Sequence, residues 1–156
     1  AVKGRKIFGE LVPFGQVWRA GANEASRITF GQDVVFGGQK VKKGVYALYI
    51  VPQEKEWKII LNKGISNWGA YTYDAKEDVA STTVPVKMMN EKMERFTINF
   101  EDITDEKLNL VFEWDKTRAD VPVEILNVEE TLQIIDNIKA IKKIESDIKK
   151  KNEPKK

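Results

Sequence analysis

In a series of short stretches between Arg27 and Ile125 apolar residues recur at every second position, and that period limits the chain more than any other feature it has. Successive side chains of an extended strand point to opposite faces, so a two-residue period buries one face of a sheet. Ile28 and Phe30 alternate with Arg27 and Thr29. Val34-Val35-Phe36 runs into Gly37-Gly38, a dipeptide suited to a tight hairpin turn, and Lys40-Val41-Lys42 returns. After Lys43-Gly44 the run Val45 to Val51 is apolar on both faces and ends at Pro52, which predicts a central strand covered on both sides. Trp57 to Leu61 follows a polar turn and is expected to pair with it. Further strands are predicted at 79–86, 96–100, 108–114 and 121–125, with Phe96/Ile98/Phe100, Leu108/Leu110/Phe112/Trp114 and Val121/Val123/Ile125 each on one face. Pro122 donates no backbone hydrogen bond, so the last strand is expected at an edge. The fold class is all-β, an antiparallel sandwich or barrel-like sheet, followed by a C-terminal α-helix.

Besides the loop over 62–78, two stretches lie outside this period. Residues 2–14 alternate glycine with apolar residues and read as irregular structure in which Ile7, Phe8, Leu11, Val12 and Phe14 cap the core, behind a solvated basic start at Lys3-Gly4-Arg5-Lys6. Beyond Asn127, whose side chain with Glu130 forms a capping-box pattern, Ile134, Ile138, Ile141 and Ile148 recur at helical spacing. They predict a helix over 128–149 packed on its own sheet, with a coiled-coil seam as the alternative. The chain thus divides into a β domain over 1–126, a helix over 127–149 and a basic disordered tail over 150–156.

Two absences narrow the chemistry. With Cys 0 there is no disulfide or thiolate, and with His 0 there is neither the commonest general base nor an imidazole metal ligand. No metal or cofactor is implied. The net charge of +2 is too balanced to predict nucleic acid as a partner, and no apolar run is long enough to span a bilayer.

The candidate site lies in two loops. Trp18-Arg19-Ala20-Gly21-Ala22-Asn23-Glu24 packs a guanidinium, an amide and a carboxylate into one short turn-rich run. Arg19 paired with Glu24 would pin the loop; Arg19 and Asn23 facing a pocket, with Glu24 accepting, would bind a carboxylate, a phosphate or a sugar hydroxyl. The second loop, 62–78, carries Asn62, Trp68, Tyr71, Tyr73 and Asp74 among turn formers. Its rings read either as a stacking platform for a sugar, a lid over the Arg19 loop, or anchors of their own loop. Trp57 and Trp114 follow strand phase and belong to the core. The ligand-binding set is therefore Arg19, Asn23, Glu24, Asn62, Trp68, Tyr71, Tyr73 and Asp74, and in a sandwich both loops are expected at the same end. Glu24 with Asp74 is the sole carboxylate pair with any appeal for a histidine-free hydrolase or lyase, and a pair chosen from 24 acidic residues is weak evidence for a reaction.

The order GRKIFGELVPFGQVWRAGANEAS, KKGVYALYIVP, EWKIILNK, NWGAYTYD and LVFEWDKT resembles a family found mostly in Bacteroidetes, the domain of unknown function twenty-nine eleven. The resemblance runs from about Gly4 to about Ile125. It implies an exported, extracytoplasmic protein whose signal peptide is removed and a further strand ahead of the Gly4-Arg5 motif. It also implies an arginine soon after Asp78-Val79, where this chain has Ala80-Ser81. The family supplies no activity. The residues favour a noncatalytic module that binds a small molecule, a glycan or a protein over an enzyme, with assembly through the C-terminal helix as a further alternative.

Overall fold

A computed structural model of the protein describes residues 1–126 and 128–152. Two compact units emerge, Ala1–Ile125 and the segment from Leu126 onward. The first holds seven strands: β1 (Arg27–Phe30), β2 (Val34–Phe36), β3 (Gln39–Val41), β4 (Gly44–Pro52), β5 (Glu56–Asn62), β6 (Asp78–Glu101) and β7 (Lys107–Ile125). Every pairing is antiparallel, and the order across the sheet is β1-β4-β5-β6-β7-β2-β3.

The long β6 joins the two halves of this sheet. Its first part pairs with β5, from Glu56↔Pro85 to Asn62↔Asp78, and its second with β7, from Val86↔Ala119 to Glu101↔Asn109. The sequence predicts two separate strands here because residues 87–95 have no apolar alternation; the structure runs straight through them, with breaks of register between Met88 and Met93 and between Met93 and Thr97. β7 likewise unites the predicted strands 108–114 and 121–125. It is not an edge strand. Pro122 falls where pairing with β6 has ended at Ala119 and pairing with β2 begins at Val123, so its missing N–H costs no ladder bond.

β4 is central, as its apolar run predicts, and its two faces enter different clusters. Tyr46, Leu48 and Ile50 join the main core with Trp57, Ile59 and Leu61 of β5 and Leu110, Phe112 and Trp114 of β7. Ala47 and Tyr49 point the other way, with Ile60, into a smaller cluster. Rings bind the main core together: Phe8 lies 4.8 Å from Trp57, and Trp18 stacks on Trp114 at 5.7 Å. Gly37 and Gly38 take φ of +57° and +76°, the left-handed pair that a two-residue hairpin needs.

The N-terminal stretch departs from expectation. Val2 is buried and donates to the Glu94 carbonyl at 2.8 Å, and Lys3 donates to the Glu94 carboxylate, so the basic start is tied down. Ile7 and Val12 do cap the core, whereas Leu11 and Phe14 stay exposed, the Phe14 ring lying over Gly9 where a side chain would leave no room.

The second unit is one helix, α1 (Val128–Asn152), longer by three residues than the sequence period predicts. Asn127 and residues 153–156 lie outside the described residues. Ile138, Ile141, Ile144 and Ile148 are all exposed along it. No helix among the described residues is long and apolar enough to cross a membrane.

Candidate functional site

The Arg19 loop is shaped by hydrogen bonds at both ends. Trp18 pairs with Ile50 of β4 through N–H to carbonyl bonds of 2.7 and 2.8 Å, and its indole donates to the Gly21 carbonyl at 3.2 Å. Ser26 closes the loop, its N–H reaching the Arg19 carbonyl and its hydroxyl the Ala20 carbonyl at 2.6 Å. The turn requires left-handed backbone at Ala20 and Asn23, and asparagine accepts that conformation more readily than most residues. Because Trp18 sends its ring into the main core, the bridge Trp18↔Ile50 sets Arg19 beside Tyr49 on the opposite face, the face of Ala47 and Ile60.

The second loop folds over that same face, and Asn62 holds it. Asn62 is fully buried. Its amide donates to the Asp74 carbonyl at 2.9 Å and to the Asp78 carboxylate at 2.8 Å, while its carbonyl accepts from Gly64 N–H at 2.7 Å. Tyr73 packs on Tyr49, ring centroids 4.9 Å apart, and its hydroxyl donates to the other Asp78 oxygen at 2.7 Å. Burial, and then the bond to Asp78, raise the Tyr73 pKa well above the ordinary tyrosine value. Asp74 caps a 3-10 turn over Ala75–Glu77, accepting from Lys76 N–H at 2.9 Å.

The two loops meet. Glu24 and Trp68 form an antiparallel backbone bridge, so the expected convergence is present at that point. The expected Arg19–Glu24 pair is not: the Glu24 carboxylate takes Arg27 at 3.2 Å instead, three residues on, and both groups are about half exposed. Tyr73 and Asn62 anchor their own loop, and Trp68 and Tyr71 are the rings left to solvent, at 62% and 94% exposure. Among the described residues no hydrogen bond joins Glu24 to Asp74, and each carboxylate already has a donor of its own. No group of three or more metal-ligating side chains occurs among the described residues.

Tyr49, Arg27, Asn67 and Asp78 belong to this region without having been singled out by sequence. Tyr49 sits in an unbroken apolar run, where a hydroxyl facing the second cluster has no signature. Buried side-chain polar atoms nearly always have partners. Four here have none among the described residues: Arg19 Nε, Tyr49 hydroxyl, Asn67 Nδ2 and Trp114 Nε1. Tyr49 faces the cluster that the second loop covers and Asn67 belongs to that loop, and each of the four atoms can donate a hydrogen bond. Donors of this kind are suited to an acceptor-rich group, a carboxylate, a phosphate or a polyol.

A second charged centre escaped sequence analysis. Arg118 makes paired bonds to Glu101 at 2.7 and 3.4 Å and single bonds to Glu113 at 2.8 Å and Asp120 at 2.6 Å, with Lys87 also on Asp120. Burial disfavours the charge on Asp120, but Lys87 and Arg118 outweigh it and hold its pKa below the ordinary value. These contacts tie β6 to β7 across non-adjacent positions, which no local spacing reveals.

The family model described as protein of unknown function (DUF2911) matches residues 1–123, and the chain belongs to that family. No curated protein and no solved structure matches it.

Proposed function

We propose, from that membership and from the geometry of the two loops, that the protein is a noncatalytic extracytoplasmic binding module. Its ligand is a small oxygen-rich molecule, a glycan unit or a carboxylate, held at the face beneath the 62–74 loop. The observation that carries this reading is the set of three unpartnered buried donors, Arg19 Nε, Tyr49 hydroxyl and Asn67 Nδ2. Trp68 and Tyr71 stand at the rim as exposed rings on which a sugar stacks, with Asn23 and Glu24 beside them. A thermal-shift screen of monosaccharides, uronic acids and dicarboxylates tests it: a ligand at saturating concentration raises the melting temperature, by RT ln(1 + [L]/Kd) in stability. Arg19→Gln and Trp68→Ala abolish that shift while leaving the melting temperature of the free protein within a few degrees. No shift with any compound, or turnover of one that Glu24→Gln and Asp74→Asn abolish, contradicts the reading. Recovery of the native protein in the cytoplasmic fraction of the cells that make it contradicts the placement.

A second reading rests on α1, whose Ile138, Ile141, Ile144 and Ile148 recur at three- and four-residue steps and are all exposed. They make the helix a self-association element. Sedimentation of the full chain against Ile141→Asp decides it: a dimer that the substitution dissolves supports the reading, and equal monomeric masses contradict it.

A further inference from the structure

Tyr73 is held twice by the face it covers. Its ring lies on Tyr49, centroids 4.9 Å apart, and its hydroxyl donates to one Asp78 oxygen at 2.7 Å while Asn62 donates to the other at 2.8 Å. The phenol thus fills a space between an aromatic wall and a carboxylate, one that suits any ring bearing a hydroxyl. Tyr49 beneath it is fully buried, and the Tyr49 hydroxyl has no partner among the described residues. An unpaired buried hydroxyl costs stability, which works against the covered arrangement.

The segment that carries Tyr73 is built to lift. Asn62 bonds to the Asp74 carbonyl, so residues 63–73 form a loop whose two ends are tied together at the base. Backbone bonds inside it are local: Ile65 N–H to the Lys63 carbonyl, Asn67 N–H to Gly64 and Tyr73 N–H to Ala70. Its side-chain bonds lie at the ends, at Asn62, Tyr73 and Asp74, and the bridge Glu24↔Trp68 links its middle to the first loop. Opening therefore breaks that bridge and frees the Tyr73 phenol, while the Asn62 anchor still holds Asp78 in place.

We infer that Tyr73 is a built-in plug and that the ligand displacing it is a neutral polyol, one hydroxyl taking the place of the Tyr73 hydroxyl on Asp78 and another oxygen accepting from the Tyr49 hydroxyl. The inference rests on the binding reading above and narrows its ligand. A carboxylate brought against Asp78 meets like charge, whereas a sugar hydroxyl donates to it as Tyr73 does. The plug also sets the affinity, because only the open fraction of the protein binds.

The test compares the parent with Tyr73→Phe, which keeps the ring and loses the bond to Asp78. Both are labelled with fluorotyrosine and titrated with glucose, inositol and succinate. Loss of a hydrogen bond to a charged acceptor raises the open fraction by roughly tenfold or more. Without ligand, the Tyr49 fluorine of Tyr73→Phe becomes more accessible to a dissolved paramagnetic agent; equal accessibility in the two chains overturns the plug. With ligand, glucose or inositol binds Tyr73→Phe roughly tenfold more tightly than the parent. Equal or weaker binding overturns the plug and leaves the binding reading standing. Binding of succinate in place of both polyols overturns the ligand class, and no binding by either chain overturns the inference and the binding reading together. The pair Glu24→Cys/Trp68→Cys, in a chain with no other cysteine, serves as the second variant. Its disulfide pins the loop shut, so polyol binding and Tyr49 accessibility both fall on oxidation and return on reduction, and an oxidised chain that matches the reduced one overturns the plug.

Discussion

Replacing Asn62 by alanine removes the buried side chain that ties the second loop to the end of β5. Three hydrogen bonds go with it: two neutral, to the Asp74 carbonyl and from Gly64 N–H, and one to the Asp78 carboxylate. Neutral bonds contribute about 0.5 to 1.5 kcal/mol each and a charged one about 1.5 to 3, so the sum lies at about 2.5 to 6 kcal/mol. Asp78 is only half-buried and keeps the Tyr73 hydroxyl, so water reaches part of what is lost, and we expect a net cost of about 3 kcal/mol. With a urea slope of about 2 kcal/mol/M, the unfolding midpoint falls by about 1.5 M. Exchange at Lys63 N–H, bonded to the Glu77 carbonyl, rises more than exchange in β4, because the loop loosens before the core does. A midpoint within about 0.3 M of the parent, a cost of roughly 0.6 kcal/mol on that slope, would refute the assignment of Asn62 as the loop's anchor.

Four other outcomes follow from the same structure. Gly37→Ala puts a methyl 2.6 Å from Thr82 Cβ at a φ of +57° and lowers stability by about 2 kcal/mol or more, whereas Gly38→Ala, with open space around it, costs only about 1; equal melting temperatures for the two variants contradict the turn geometry. Arg118→Ala leaves Glu113 nearly buried without its partner and costs about 3 kcal/mol in urea unfolding, the low end for buried pairs because the Arg118 side chain keeps 25% of its surface in solvent. The Tyr73 pKa is raised in the folded protein, by burial first and then by the bond to Asp78, so its contribution is whole below the unfolded value of about 10 and is lost as pH rises through the folded one; Tyr73→Phe flattens the alkaline loss of stability, and an unchanged slope contradicts the raised pKa. Asp120 has the opposite sign: its lowered pKa gives stability present above about pH 4 and lost as pH falls through the folded value, and Asp120→Asn reduces the acid dependence of the unfolding midpoint.

The sheet was legible because its period is local. Ile28/Phe30, the Gly37-Gly38 turn, the doubly apolar β4 and the alternating faces of β7 all declare themselves within a few residues. What was hidden depends on partners far along the chain. Residues 87–95 extend β6 because β7 lies beside them, not through any pattern of their own. Pro122 looks like an edge residue until the change of partner from β6 to β2 is known. The candidate site divides in the same way. Both loops are visible in composition, and strand ends predict that they lie at one end of the sheet; that they touch through the backbone of Glu24 and Trp68 is written in no local pattern. Nor are the partners: Glu24 takes Arg27, and Arg19 falls beside Tyr49, because strand register decides which face a side chain joins.

The claim that the loop-covered face receives an oxygen-rich ligand is tested most directly at Arg19 itself. A nitrogen-15 titration of the protein with glucuronate, glucose and succinate follows the Arg19 Nε–H and Trp68 indole signals together. The account predicts that at least one of the three moves both signals along a single saturable curve, and that Arg19→Gln removes the Trp68 response. Shifts confined to Trp68, or an Arg19 signal that none of the three displaces, would contradict it.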